Sequence, residues 1–334
     1  MGEGMVVSRP SAGHARRAAY VVLSHRYTDQ VSQLVDATIR LSPSSGVLVY
    51  HDARACPPPV LDHPNVRVVA HRTAADWGSW ELVESTIAAM GIAVRTFDPE
   101  MLVLVSGQDH PTRNLAHWER DFFATGGGWI GEAHHLVYKP RWGKPYGVGD
   151  DDLTRYIYRW YRVPGSRWLG RSEWAPAVAA RSLLMKVGHY AEPAVSVRNA
   201  ARGRGIHLGL RAIRGPLGRR RPCYKGSQWL AIERSHWDEM LHRHHYDVEL
   251  RAAYRRSIIP DESYLQTILM SLGPPQTGPP LTYVDWRVAE DAPKSLSLED
   301  LNRVLDSGSP FCRKIEPGIS DALVERLDAL AFDR

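Results

Sequence analysis

The chain has little cysteine and no long apolar run. Its 3 cysteines, Cys56, Cys223 and Cys312, are odd in number and widely spaced, so they indicate neither a disulfide framework nor a zinc site. No stretch approaches the roughly 18 uninterrupted apolar residues of a membrane-spanning helix. Residues 1–17 lack the apolar core of a signal peptide, and the sequence predicts a disordered lead-in there. These absences predict a protein of the reducing cytoplasm without stable membrane insertion.

Acidic residues are fewer than basic residues, and phenylalanine is scarce compared with tryptophan and tyrosine. The 42 Lys and Arg exceed the 37 Asp and Glu, for a formal charge of +5, and much of the surplus lies between Arg198 and Arg221. A basic surplus fits a polyanionic partner, either nucleic acid or a nucleotide diphosphate. The 11 Trp and 14 Tyr outnumber the 5 Phe, which favours aromatic groups with a polar handle, common where sugars or bases stack.

The first half of the chain alternates short apolar runs with helical patterns. The segments are AAYVVLS, QVSQLVDATIRL, GVLVYHD, NVRVVA, WELVESTIAAMGIAV and MLVLVSGQD. Such alternation predicts an α/β fold with a Rossmann-like, mostly parallel central sheet flanked by helices. In this fold class ligands bind at the carboxyl ends of the strands, so the polar residues after each run are site candidates.

The pattern changes between about residues 134 and 222. This segment is rich in aromatic residues and arginine (RYIYRWYRVPGSRW) and then in glycine and arginine. We interpret it as an insertion that carries acceptor contacts. Periodicity returns at GSQWLAIERSHWDEML, a strand leading into a helix, at PDESYLQTILMSL, a helix, and at SDALVERLDALAF, a final amphipathic helix.

Two strand ends carry candidate binding residues. After GVLVYH, Asp52 and Arg54 are placed to hydrogen-bond uracil or ribose, although spacing alone favours an ordinary strand-end turn. After MLVLVSGQ, Asp109 reaches past a glycine that lets the backbone approach a ligand. The alternative for Asp109 is a helix cap for the segment NLAHWERDFF.

Two further candidates lie in the second half. Glu262 stands in the first turn of PDESYLQT, either as a general base or because acidic residues stabilise helix N-termini. Arg313 and Lys314 are adjacent in PFCRKIEP. Such a pair is able to bind a diphosphate, the arginine by two parallel hydrogen bonds and the lysine as a point charge, but most Arg-Lys pairs belong to solvated surface.

Taken together and in order, these motifs resemble the core-2/I-branching N-acetylglucosaminyltransferase and peptide O-xylosyltransferase family of the GT-A fold. The resembling pieces are AYVVLSHR, VYHDAR, VVAHRTAADWGSWELVESTIAAM, LVLVSGQDHPTRN, KGSQWLAI, PDESYLQTIL, YVDW and SPFCRKIEP. They extend from Tyr20 to about Pro317 and leave only the middle segment unmatched. The resemblance implies a single GT-A domain over residues 18–334, with the insertion at about 134–222.

The resemblance also implies roles for individual residues. Glu262 takes the position of the catalytic base, and Arg313 and Lys314 the position that holds the diphosphate. Nucleotide contacts are implied for Asp52 and Arg54, and the implied donor or acceptor contacts are Asp109, Gln228, Trp229 and Trp286. Gln228 replaces an acidic residue of the xylosyltransferases, which leaves the donated sugar open between N-acetylglucosamine, the first expectation, and xylose.

The expected reaction is inverting transfer from a UDP-sugar to an acceptor hydroxyl on a glycan, peptide or small natural product, without a metal or other cofactor. An Asp-x-Asp pattern in GDDDL (150–152) does not follow an apolar strand, so we interpret it as a solvated loop. The histidines of LHRHHYD are interpreted as a surface cluster. Two alternatives stay open: nucleic-acid binding through the 198–221 tract, for which no known motif is present, and binding of a sugar nucleotide without turnover.

Overall fold

The structure, a computed structural model, describes residues 18–138, 144–145, 152–200, 205–213, 215–218, 220–287 and 293–331. The predicted lead-in at residues 1–17 lies outside these residues, as do parts of the 198–221 tract. In this part of the chain, no helix combines the length and the apolar character needed to cross a membrane.

The strands of the described residues are numbered in chain order. They are β1 (Ala18–Ser24), β2 (Gly46–Asp52), β3 (Val66–His71), β4 (Met101–Ser106), β5 (His110–Pro111), β6 (Trp129–Ile130), β7 (His134–His135), β8 (Tyr158–Arg162), β9 (Val195–Ala200), β10 (Gly205–Arg211), β11 (Tyr224–Lys225), β12 (Leu230–Glu233), β13 (Thr282–Val284) and β14 (Phe311–Arg313). The predicted strands AAYVVLS and GVLVYHD coincide with β1 and β2.

The helices are numbered in the same way. They are α1 (Thr28–Leu41), α2 (Trp80–Phe97), α3 (Leu115–Ala124), α4 (Thr154–Ile157), α5 (Ser166–Arg171), α6 (Ala175–Tyr190), α7 (Arg234–Tyr246), α8 (Val248–Tyr254), α9 (Tyr264–Met270), α10 (Leu301–Asp306) and α11 (Asp321–Leu330), with 3-10 turns at Pro260–Glu262 and Leu298–Asp300. Each helix predicted from the sequence is present, with ends shifted by a few residues. The segment PDESYLQTILMSL differs because its first residues form a 3-10 turn rather than the first α-helical turn.

The central sheet has the strand order β3-β2-β1-β4-β12-β6. Strands β1 to β4 run parallel, and β12 runs antiparallel to both β4 and β6. The order reverses at β1, since the chain moves outward to β2 and β3 before α2 returns it to β4 on the other side. The predicted mostly parallel α/β sheet is confirmed, and the carboxyl ends of β1 and β4 flank the crevice where such folds bind ligands.

Two apolar layers enclose this sheet, and alternate strand residues enter each of them. Ala19 and Val21 face the layer that contains α2, whereas Tyr20 and Val22 face the layer that contains α1 and α3. Period-two alternation within fully buried strands explains why their sequence is apolar at nearly every position. Burial of each aliphatic side chain stabilises the fold by roughly 1.5–3 kcal/mol. The sheet is therefore rigid and holds the residues at its carboxyl edge in place.

The middle segment is regular rather than patternless. Strands β8, β10 and β9 form an antiparallel sheet, on which α5 contacts β10 and α6 contacts β9. Arginine alternates with buried aromatic residues in β8, where Tyr158 and Trp160 are buried and Arg159 is exposed. Its aromatic and arginine content is therefore in part a strand pattern, which the sequence analysis did not assign. That it carries acceptor contacts stays a prediction.

Candidate functional site

The carboxyl ends of β1, β2 and β4 lie together, as the strand pattern predicts. Ser24 Oγ at the end of β1 lies 2.9 Å from Nδ1 of His51, and the backbone N–H of Gly107 after β4 donates to the carbonyl of Leu23 at 2.8 Å. A Cβ on Gly107 would lie 2.9 Å from Ser24 Cβ. Only glycine therefore allows the loop after β4 to approach β1 so closely.

Asp109 and Arg313 meet beside this loop, although 204 residues separate them. A small sheet of order β13-β14-β5 joins the two regions, because Cys312 in β14 pairs with His110 in β5. Arg313 Nη2 donates to Ser106 Oγ at 3.1 Å, and its Nε lies 3.7 Å from Asp109 Oδ1. Local sequence gives no sign of this pairing.

The Asp109 carboxylate is fully enclosed, and it does not cap the next helix. Its Oδ2 accepts from the backbone N–H of Ser106 at 2.8 Å, while the side chain of Asn114 caps α3. Burial raises the pKa of Asp109 to about 6, against the lowering effect of the Arg313 charge and the Ser106 hydrogen bond. Asp109 thus provides an internal counter-charge behind Arg313.

Trp229 supports the guanidinium from another side. The Arg313 Cζ lies 4.5 Å from the centre of the Trp229 ring, within the distance of a cation–π contact. Ser106, Asp109 and Trp229 together hold Arg313 at the sheet edge, with only 17% of its side chain exposed. The alternative that this arginine belongs to a solvated surface pair is therefore excluded.

Lys314 is similarly enclosed. Its Nζ donates to Glu316 Oε1 at 2.5 Å, and its side chain is 19% exposed. Hydrogen bonds from Lys314 and Ser295 lower the pKa of Glu316 and keep that carboxylate ionised. The two adjacent cations differ in setting, since Arg313 has an enclosed partner in Asp109 and Lys314 a more accessible one in Glu316.

Glu262 ends the 3-10 turn that precedes α9, and two cations flank its carboxylate. Arg155 Nη1 lies 3.8 Å and Lys225 Nζ 3.9 Å from Glu262 Oε2. Asp152 binds the same two cations more closely, at 2.8 Å from Arg155 and 2.7 Å from Lys225. The result is a cluster of two carboxylates and two cationic side chains whose charges balance. Sequence reasoning missed Arg155 and Lys225, because nothing in the chain order links α4 and β11 to the 3-10 turn.

A short segment joins the Glu262 cluster to Arg313. The backbone N–H of Gly226 donates to the Glu262 carbonyl at 2.8 Å, and three residues later Trp229 lies under Arg313. Three residue steps span at most roughly 11 Å. A Cβ on Gly226 would lie 1.7 Å from the carbonyl oxygen of Glu132, so only glycine fits there.

Asp52 and Arg54 bind each other at the end of β2. Arg54 Nε donates to Asp52 Oδ1 at 2.9 Å and Nη2 donates to Oδ2 at 2.6 Å, while Nη2 also reaches Asp76 at 3.0 Å. Burial alone would raise the pKa of Asp52, but the hydrogen bonds from Arg54 outweigh it and lower that pKa. Asp52 and Arg54 therefore form a strand-end turn and, at the same time, a partly exposed charged pair.

Gln228 and Trp286 complete the predicted set. The buried Gln228 Nε2 has no hydrogen-bond partner among the described residues, and neither does Gln108 Nε2 near Arg313. Such unpaired buried donors are expected where a ligand accepts hydrogen bonds. Trp286 is exposed and follows β13, whose Val284 pairs with Arg313.

Hydrogen bonds and packing connect all these segments around the crevice. Asp76, bound to Arg54, accepts from Ser79 through its carbonyl, and the Gly78 carbonyl accepts from the N–H of Ile259, next to the 3-10 turn. These contacts connect the end of β2, through the loop before α2, to Glu262. The 226–229 segment then connects Glu262 to Arg313, which contacts the end of β4. The structure brings the predicted residues to one edge of the sheet.

The described residues contain no group of three or more His, Cys, Asp or Glu side chains placed to hold a metal ion. Asp150 and Asp151 lie outside these residues, and Asp152 binds Arg155 and Lys225 instead of being solvated, as was expected of that loop. The expected surface histidine cluster is also partly wrong. His244 packs on Trp80 and lies 3.0 Å from the Tyr264 hydroxyl, and burial lowers its pKa to about 4.

The described arginines of the 198–221 tract also have internal contacts. Arg198 bonds to Thr154, Arg211 lies over Tyr138, and Arg221 pairs with Asp247. These guanidinium groups therefore help to hold the middle segment together rather than forming an open basic strip.

Comparison with known families finds one that matches part of the chain. Residues 187–305, 119 of the 334, match the family described as Branch: Core-2/I-Branching enzyme. Over these residues the chain is similar to the core-2/I-branching family. The match supports a glycosyltransferase, and the mostly parallel sheet agrees with a GT-A fold. The match includes Glu262, Gln228, Trp229 and Trp286, and it begins inside the middle segment that the sequence resemblance left unmatched.

No curated protein matches the chain. Among solved structures, one from Bacillus anthracis described as a glucose-1-phosphate thymidylyltransferase in complex with a sucrose is 6% identical, with a TM-score of 0.24. The similar region covers 37% of this chain and 57% of that one, so this chain spans little more than half of that protein's length. The fold assignment rests on the strand order and on the family match to residues 187–305 instead.

Proposed function

We propose that this protein is a glycosyltransferase that inverts the anomeric centre as it moves a sugar from a UDP-sugar to an acceptor hydroxyl. N-acetylglucosamine is the favoured sugar and xylose the next. The observation that carries the proposal is the arrangement of Glu262 and Arg313. A carboxylate able to take a proton and a cation able to hold a diphosphate lie at the two ends of the 226–229 segment, on the crevice edge of the sheet.

Glu262 is the general base in this proposal. It accepts the proton of the acceptor hydroxyl while that oxygen forms a bond to the anomeric carbon. The bond between the anomeric carbon and the diphosphate oxygen breaks, and its electron pair leaves with UDP. Attack opposite the leaving group inverts the centre. Arg155 and Lys225 lie against Glu262 and hold its carboxylate in place while Asp152 balances their charge.

Arg313 and Lys314 stabilise the departing UDP, because positive charge fixed in a partly enclosed site lowers the energy of the developing diphosphate charge. Preorganisation supports this role: Ser106, Asp109 and Trp229 fix the guanidinium before a ligand arrives. These cations take the place of a metal in the proposal, so no cofactor is required.

The remaining residues bind substrate. Asp52 and Arg54 lie at the end of β2, where they are suited to contact the nucleotide, and their partial exposure supports this assignment. Gln228 carries an unpaired buried donor among the described residues, which suits a sugar hydroxyl. Asp109 and Trp229 act beside Arg313, and the exposed Trp286 offers a ring for stacking on a sugar.

The test is Glu262→Gln, which keeps the shape of the side chain and removes its ability to take a proton. Turnover is expected to fall about a hundredfold or more, the usual contribution of a general base, while UDP affinity is unchanged. Turnover is measured as UDP release and affinity by calorimetry. The matched control is Glu325→Gln on the exposed face of α11, which should leave both values at those of the unmodified protein.

Near-normal turnover by Glu262→Gln, with the control also active, would show that Glu262 is not the general base. A parallel loss of UDP affinity would instead place Glu262 in the nucleotide site. The two outcomes are separable because turnover and affinity are measured independently.

A further inference from the structure

The outer surface of α5 and α6 exposes an unusual amount of apolar side chain. We define the α5–α6 surface by Trp168, Trp174, Leu183, Val187 and Tyr190, each between 56% and 66% exposed. An exposed aromatic side chain of this kind presents on the order of 100 Å² to solvent. Soluble monomers rarely leave contiguous apolar patches of several hundred Å² uncovered, so such a surface indicates a binding partner.

The geometry of α6 separates a packed face from this open one. Ala177 and Gly188 are buried, and the Gly188 backbone lies against Val197 of β9. Leu183, Val187 and Tyr190 recur at spacings of four and three, which places them on one stripe away from that contact. Trp168 and Trp174 lie at the other end of the helix, with ring centres 6.3 Å apart.

Positive charge is concentrated around the same surface. Residues 158–190 contain six Arg and Lys against one Glu, a formal charge of +5. The apolar side chains of this surface therefore lie in a basic segment of the chain, separate from the tract between Arg198 and Arg221. Arg167 and Lys186 are exposed beside the apolar side chains.

From these observations we infer that the α5–α6 surface binds an anionic lipid bilayer by lying in its interface. Tryptophan and tyrosine favour the headgroup level of a bilayer, aliphatic stripes enter the acyl boundary, and basic residues attract anionic headgroups. With 16 residues, α6 is shorter than the roughly 20 that cross the hydrocarbon core, which agrees with an interfacial position. This inference is independent of the proposed function.

Charge disfavours the next candidate, a second copy of the chain. A symmetric dimer places the same surface of each copy against itself, and here that would oppose two segments of +5. Nucleic acid fits the charge of this surface, but its phosphate groups offer no favourable contact to the aliphatic side chains of Leu183 and Val187. An anionic bilayer matches both the apolar and the basic components.

The experiment is co-sedimentation of the full chain with vesicles of phosphatidylcholine alone and of an equal mixture of phosphatidylcholine and phosphatidylglycerol. Binding is expected only to the anionic vesicles, and it should weaken as salt screens the attraction. Leu183→Ser with Val187→Ser should weaken binding tenfold or more. Arg167→Gln and Lys186→Gln should each weaken it roughly fivefold, the usual contribution of one basic residue.

A matched control replaces exposed apolar residues away from the surface, Val60→Ser with Ile319→Ser, and should bind as the unmodified chain does. Thermal unfolding shows that each variant is folded. Equal binding to neutral and anionic vesicles would overturn the inference, as would full binding by the Leu183 and Val187 variant. Light scattering that finds a dimer in the unmodified chain and a monomer in that variant would assign the surface to self-association instead. No arm uses a sugar donor, so the outcome does not depend on catalysis.

Discussion

Arg313 owes its position to three neighbours that differ in kind. Ser106 supplies a neutral hydrogen bond, Asp109 a buried counter-charge, and Trp229 a flat ring under the guanidinium. Only arginine combines a planar head for the ring with several donors for the other two contacts. The charge is thereby fixed at the crevice instead of being distributed over many rotamers, which suits the proposed contact with a leaving diphosphate.

Arg313→Lys is therefore not a conservative change. It keeps the charge but loses the ring contact and the paired donors, so the affinity for UDP should fall about tenfold. Isothermal titration calorimetry with UDP measures the effect. Arg326→Lys on the exposed face of α11 serves as the control and should bind UDP normally. Equal affinity of both variants would show that Arg313 does not hold the nucleotide.

Asp109 predicts a specific dependence of stability on pH. Its pKa is raised from 3.8 to about 6 because burial disfavours the charged form. The folded protein then keeps a proton that the unfolded chain releases between about pH 4 and 6. The free energy of unfolding should fall as pH rises through that window, by on the order of 3 kcal/mol, and level off above it.

Urea unfolding of Asp109→Asn at several pH values isolates this component. The variant should lose the fall between about pH 4 and 6, since its amide does not titrate, and Asp36→Asn on the exposed face of α1 should keep it. An identical pH profile for Asp109→Asn and the unmodified chain would contradict the raised pKa.

At the residue level the sequence predicted side-chain types better than partners. The sequence left the role of Asp109 open between a ligand contact and a helix cap, because an acidic residue before a helical pattern fits both. The structure excludes the cap, since Asn114 caps α3. The ligand contact stays a prediction. Arg155 and Lys225 were not found at all. Their proximity to Glu262 arises from three segments distant in sequence, and no local pattern encodes such a meeting.

At the element level, the approach of β4 to β1 shapes the crevice. Gly107→Ala would place a methyl group 2.9 Å from Ser24 Cβ and 3.0 Å from Val31 Cγ2. Overpacking of this kind should lower the free energy of unfolding by about 1–3 kcal/mol. Gly91→Ala, in the middle of α2, meets nothing closer than 3.4 Å and should be neutral or stabilising by up to about 1 kcal/mol. Denaturant unfolding distinguishes them, and equal effects of the two substitutions would refute the close approach.

The regular elements of the central sheet were predictable because their cause is local. Runs of β-branched and aliphatic residues bounded by polar turns coincide with β1, β2 and the apolar part of β4. The middle segment was harder for a physical reason. Its sheet is antiparallel with a half-exposed face, so arginine and apolar residues share its strands, and α6 leaves apolar side chains in solvent that blur its helical pattern.

For the whole molecule, the candidate site depends on segments from both ends of the chain. The family match at residues 187–305 contains Glu262, Gln228 and Trp229, whereas Asp52, Asp109 and Arg313 lie outside it. Their assembly at one edge follows from strand order: β1, β2 and β4 deliver the first group, and the small sheet with β14 delivers Arg313. The sequence resemblance predicted this set by its order along the chain, but only the fold explains why the residues meet.

The most direct test of the account is a screen for UDP release from UDP-N-acetylglucosamine, UDP-xylose and other UDP-sugars, with water as the default acceptor and EDTA present. Release is expected from at least one donor, first from UDP-N-acetylglucosamine, with little loss in EDTA if Arg313 and Lys314 hold the diphosphate as proposed. Release that requires Mn²⁺ would contradict the metal-free site. A folded protein that neither binds UDP nor releases it from any UDP-sugar would contradict the proposed glycosyltransferase activity.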